Sequence, residues 1–194
     1  VTAGRLLVAL GLALGLTTPA AGHHTGVYTP KDNAITTNFK EVKFSVQAGK
    51  FDVALRRFDG GSLRAEMRAR AAVLPPGLEA RTRAALEARD AAGVEHGLMV
   101  FFVVLARDLA READRQLATS TAPVATAQRF LEAIWRYYNL VDFAVGQREP
   151  AASTAMRLAY DDAESVLRAP PPADVPRLRA ALARIAEILG RLVS

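Results

Sequence analysis

The sequence predicts an all-α fold, an up-down helical bundle of about four main helices with an additional N-terminal helical hairpin. Three observations carry that expectation. Apolar residues recur at intervals of three and four through most of the chain. Only "VKFSV" alternates in the manner of a strand, and it fits a helix equally well. Clusters of Gly and Pro cut the periodic stretches into helix-length pieces.

The first 22 residues differ from the rest. Arg5 precedes the apolar stretch Leu6 to Leu16, and small residues follow around Pro19, Ala20 and Ala21. That order of charged, apolar and small-residue regions predicts a secretory signal peptide over residues 1–22, cleaved between Ala20 and His23. The apolar run is short for a membrane span. The expectation is an exported protein, with the periplasm as its compartment and membrane contact only during export. Residues 23–37, "HHTGVYTPKDNAITT", lack helical periodicity and read as an extended leader. Residues 38–194 then form a single helical domain.

Within that domain, Phe39, Val42 and Val46 recur at helical spacing, "QAGK" interrupts them, and Phe51, Ala54, Leu55 and Phe58 resume the pattern. The stretch "AGKFDVALRRF" resembles the turn and second helix of tetratricopeptide-like hairpins. Gly49 stands at the turn, Phe51 two residues later, Ala54 at the helix crossing and Phe58 beyond it. The resemblance implies pairing of the two helices; no clean repeat follows at a 34-residue period.

Further helices follow in order. Asp59 to Ser62 make a capped loop before "LRAEMRARAAVL", and Pro75-Pro76-Gly77 closes it. The stretch "GLEARTRAALEARDAAG" reads as a helix ending around Gly93. From Glu95 to Leu117, Leu98, Phe101, Phe102, Leu105, Leu109 and Ala113 form one stripe, predicting a central core helix. A second amphipathic helix is expected over Val124 to Val145, with Leu131, Ile134, Trp135, Tyr138, Val141 and Val145 inward. Two more, Ala151 to Arg168 and Val175 to Leu192, are separated by "APPPAD".

Composition excludes several chemistries. The chain has no cysteine, so disulfides, thiolate metal sites, haem c attachment and a Cys nucleophile are ruled out. The net charge of +5 is spread among arginines that alternate with Asp and Glu, the pattern of a solvated helix face. With no Lys/Arg block interleaved with aromatics, no nucleic acid is expected as a partner. Phosphate-binding Gly loops, dinucleotide fingerprints, nucleophile elbows and His-Glu-x-x-His are all absent, so the expectation is a non-enzymatic protein without a nucleotide.

The candidate metal ligands are His23, His24, Glu112 and Asp142. Cleavage after Ala20 or Ala21 places a histidine third in the mature chain, where amine, amides and imidazole suit Cu(II) or Ni(II). Projected at about 100° per residue, Glu112 and Asp142 fall in the apolar arcs of their helices, pointing two carboxylates at the bundle interior. With Tyr138 or Tyr160 they would offer hard oxygens to ferric iron. A di-iron carboxylate site needs Glu-x-x-His pairs, which are absent. His96, the one histidine of the folded body, projects away from the stripe; Met67, Met99 and Met156 read as core.

The aromatics Trp135, Tyr137, Tyr138 and Tyr160 are the candidate ligand or partner surface, with Phe143 beside them. These features predict an exported binding protein for a transition-metal ion, iron or copper, or for a partner protein. The alternative is a helical scaffold or protein-protein interaction module with no small ligand, built on the hairpin around Gly49 and the aromatic helix.

Overall fold

The computed structural model describes residues 31–193. The predicted signal peptide and the first part of the predicted leader, with His23 and His24, lie outside the described residues. The described chain is all-helical: nine helices and no strand, with "VKFSV" inside the first helix.

Helix α1 (Ala34–Gln47) begins earlier than the extended leader predicted for residues 23–37 allows. Its start is fixed by a reciprocal cap. The Asn33 side chain accepts from the Thr36 N–H at 2.9 Å, and Thr36 Oγ1 accepts from the Asn33 N–H at 2.8 Å. Two otherwise orphan donors are thereby satisfied, which outweighs the low helix propensity of Ile35, Thr36 and Thr37. Gly49, at φ +71, turns the chain into α2 (Phe51–Asp59), and α1 packs on α2 as the hairpin resemblance implies.

The hairpin does not stand alone. Helices α3 (Ser62–Ala69) and α4 (Leu78–Glu87) complete an N-terminal group in which α1 meets α3 and α2 meets α4. Asn38, nearly buried, pins the corner: its Nδ2 donates to the Arg57 carbonyl at 3.0 Å, and its Oδ1 accepts from the Leu63 N–H at 3.1 Å. Arg64 adds a bridge between Asp59, at 2.5 Å, and Glu79.

Helix α4 ends before Gly93, where the sequence pattern runs on. Arg89 takes φ 57, and the Asp90 carboxylate caps the next helix by accepting from the Gly93 N–H at 3.0 Å. Gly93 therefore sits in the first turn of α5 (Ala91–Leu117). The stripe expected on this helix proves to be its whole circumference: every residue from Gly97 to Ala106 is buried. Such a helix needs neighbours on all sides. They are α4, α6 (Pro123–Tyr138) and α9 (Val175–Arg191), with lesser contact from α1 and α7 (Asp142–Arg148).

The predicted helix over Val124 to Val145 is two helices, interrupted at Asn139–Val141. No Gly or Pro marks the break. It is tertiary in origin, because α7 folds back on α8 (Pro150–Arg168), which in turn packs on α9. Asp174 caps α9, accepting from the Arg177 N–H at 3.0 Å, much as the "APPPAD" punctuation implies. Among the described residues no helix is long and apolar enough to cross a membrane.

The Asn38 corner has no room for a side chain at Gly61. A Cβ there would collide with the Asn38 amide and the Arg57 carbonyl, whereas one on Gly60 would meet only the Arg56 carbonyl at 3.7 Å. Gly61→Ala is expected to cost about 2–3 kcal/mol in urea unfolding, and Gly60→Ala less than about 1 kcal/mol. Equal losses at the two positions would show that the corner is not tightly packed.

Candidate functional site

Glu112 does not face the interior. It lies at the edge of α5's packed surface, its carboxylate bound by Arg115 through Nε at 3.1 Å and through Nη2, and by Gln116 at 2.8 Å. Arg115, then Gln116, hold its carboxyl below the usual range. The projection failed because α5 is buried all round only as far as Ala106; beyond it the charged residues return to the surface.

Asp142 does go inside, at 9% exposure, but on a helix of its own. It accepts from Ser153 Oγ at 3.0 Å and pairs with Arg157, so its charge is answered from α8. The two carboxylates belong to different regions. Leu140 to Ala144 share a groove with Ala91 to Leu98, and Glu112 lies about 21 Å of helix rise beyond Leu98. Among the described residues no group of three or more His, Asp or Glu side chains is placed to hold a metal.

The four aromatics pack inward rather than forming a surface. The Trp135 and Tyr160 rings meet at a tilt with centroids 5.0 Å apart, and the Tyr160 hydroxyl donates to the Leu131 carbonyl at 3.0 Å, joining α8 to α6. Tyr137 lies 5.8 Å from the Phe102 ring and accepts from Asn33 Nδ2 at 3.2 Å. The residue that caps α1 thus also ties it to α6. A wide apolar face on α6 needs both flanks covered, and these aromatics cover them. Phe143 alone of the aromatic stretch is strongly exposed, at 71%.

Tyr138 is fully buried, and its hydroxyl, beside Asp142 and Ser153, has no well-formed hydrogen bond. Burial first, and the Asp142 charge second, push its ionisation well above the ordinary tyrosine value. The phenol therefore stays neutral as a packing element next to an ion pair.

Among the grooves the structure leaves open, two lie on opposite sides of the first turns of α5, and a third, of about 490 Å³, lies between the last turns of α5 and the start of α9. The first, of about 570 Å³, runs along α4, α5 and the end of the chain, past Ala85, Gly97 and Val100. Three of its polar side chains are engaged in backbone bonds, Thr82 with the Leu78 carbonyl, Arg81 with that of Pro76 and Asp90 with the Gly93 amide, while His96 Nδ1 lies 3.5 Å from Arg148 Nη1. The second, of about 300 Å³, lies between α1, α5 and the α6–α7 junction.

The floor of this second groove is Phe39, Val94, Leu98 and Val141, all essentially buried, with no polar side chain among them. Lys43 and Gln47 stand on the α1 rim and Glu95 on the α5 rim. Phe44, 60% exposed, adjoins Lys43 in sequence, and Phe143 adjoins the lining residue Ala144. Sequence periodicity identified Phe39, Val46 and Leu98 as apolar, but the groove exists only because α6 breaks before α7. No local signal announces that break.

Tyr138 supplies a pH-dependent signature. The unfolded phenol ionises near 10.0 and the folded one well above it, so its contribution to stability is complete below pH 10 and is lost as pH rises toward the folded value. Ultraviolet titration is expected to show Tyr138 among the tyrosines that resist ionisation until the protein unfolds. Tyr138→Phe should remove its share of that step while leaving neutral-pH stability within about 1 kcal/mol. A larger loss would mean that the hydroxyl is well bonded.

No family model, curated protein or solved structure matches this chain.

Proposed function

We propose that this protein is an exported, non-enzymatic helical interaction module, and that the groove between α1, α5 and the α6–α7 junction receives the apolar face of a partner helix. One observation carries the reading: a concave floor of buried apolar side chains, with no polar side chain among them, at the bottom of an open groove. Small-molecule sites fix their ligands with a few converging polar groups. A floor of Phe39, Val94, Leu98 and Val141 supplies none, which favours helix-in-groove recognition through apolar anchors. In this reading α5, α6, α8 and α9 are the bundle that supports the site, and α1 to α4 form one wall of it.

Export to the periplasm rests on the charged, apolar and small-residue order of residues 1–22. A role in handling copper now rests on His23 and His24 alone, and the iron reading loses its ligands, because Glu112 and Asp142 are apart and each is neutralised by an arginine. Native mass spectrometry with Cu(II) or Ni(II) separates the sites. Binding is expected to survive Glu112→Gln with Asp142→Asn and to disappear with His23→Ala and His24→Ala; loss in the carboxylate variant would restore the bundle site.

The docking reading is tested by NMR titration with a neutral amphipathic peptide carrying a leucine face and glutamine elsewhere. Shift changes are expected at Phe39 to Gln47, Ala91 to Leu98 and Leu140 to Ala144, and weaker binding by at least about fivefold is expected in Val46→Asp. Changes confined to the α4–α5 groove, or none, would overturn it.

A further inference from the structure

Charge is unevenly placed along the described chain. Residues 31–87 carry 11 Lys and Arg against 7 Asp and Glu, whereas residues 88–193 carry 13 of each class. All four lysines, Lys31, Lys40, Lys43 and Lys50, lie in α1 or beside it. Lys40 is engaged by Asp32 at 2.8 Å. Lys43 makes no ion pair among the described residues; its Nζ rests 5.6 Å from the Phe39 ring, at the α1 edge of the groove. Lys50 is likewise without an ion pair among the described residues, just past Gln47.

The α5 rim has the opposite sign. Glu95 is exposed and makes no ion pair among the described residues, although most of the acidic side chains elsewhere do. The groove is therefore an apolar trough with an ammonium on its α1 rim and a carboxylate on its α5 rim, each outside any ion pair among the described residues. An anionic membrane presents a single sign of charge and would be repelled at Glu95. A helix can present two signs, one along each edge of its apolar face.

Resting on the docking reading above, we propose that the groove takes an amphipathic helix whose apolar face is flanked by carboxylates along one edge and cationic side chains along the other. The two rims also set the partner's direction. A helix turned end for end in the trough exchanges its edges, bringing like charges together on both banks.

Four peptides with one leucine face test this, their flanking edges being Glu and Lys, Glu and Glu, Lys and Lys, or Gln and Gln. In anisotropy titrations on the full chain at about 20 mM salt, the Glu/Lys peptide is expected to bind at least about fivefold more tightly than the Gln/Gln peptide. That advantage should shrink at about 500 mM salt. It should fall in Lys43→Glu and in Glu95→Lys, both surface changes, and return in the double variant. A paramagnetic tag on the peptide N-terminus should broaden one end of the groove in the wild type and the other end in the double variant.

Equal binding of all four peptides would overturn the charge inference while leaving the docking reading intact. Failure of all four would overturn both. Anionic vesicles binding in a manner dependent on Lys43 and Lys50, with no peptide preference, would replace the partner helix by a membrane. Sedimentation showing self-association lost in Val46→Asp would replace it by a second copy of this chain.

Discussion

A helix buried around its whole circumference constrains everything else in this protein. From Gly97 to Ala106 no residue of α5 reaches solvent to a useful extent, so no arrangement with α5 on the outside is available. The surrounding helices are held to it by different means. At Gly97 a Cβ would collide with the Thr82 hydroxyl, so the glycine allows α4 to approach closely. Phe102 serves α1 and α6 together, meeting Phe39 edge-on at 4.8 Å and Tyr137 at 5.8 Å. The C-terminal half of α5 is held by α9, with Asp114 taking Arg179 at 2.7 Å.

Much of this was legible in the sequence because burial leaves a periodic trace. The boundaries of α8 and α9 are visible in Pro150 and in "APPPAD", and the α1–α2 turn is visible in Gly49. The errors have a common physical origin. The start of α1 depends on the reciprocal bonds of Asn33 and Thr36, which outweigh an unfavourable run of β-branched residues. The end of α4 depends on Arg89 adopting a left-handed conformation, where the sequence offers a better glycine only four residues later. The break after Tyr138 depends on α8, which no window around residue 138 contains.

The candidate site was less legible than the fold. Projection on a single helix assumes that the apolar arc keeps its width to the end of the helix and that the helix itself continues. Glu112 violates the first assumption and Asp142 the second. The aromatic residues stand out in the sequence, yet Trp135, Tyr137, Tyr138 and Tyr160 are spent on packing α6 internally and against its neighbours. The exposed apolar surface is instead assembled from residues distant in sequence, in α1, α5 and α7, each unremarkable on its own.

The seven-residue helix α7 connects the trough to α8. Ala144 lines the apolar trough, while Asp142, two residues earlier, is fastened to Ser153 and Arg157 of α8. A helix this short has little stability of its own and takes its position from whatever clamps it. The width of the trough is consequently governed from outside it. Drift in the identity of residues 153 or 157 would retune the opening without altering a single lining side chain, making α8 the place where variation could adjust selectivity at the least risk to the apolar floor.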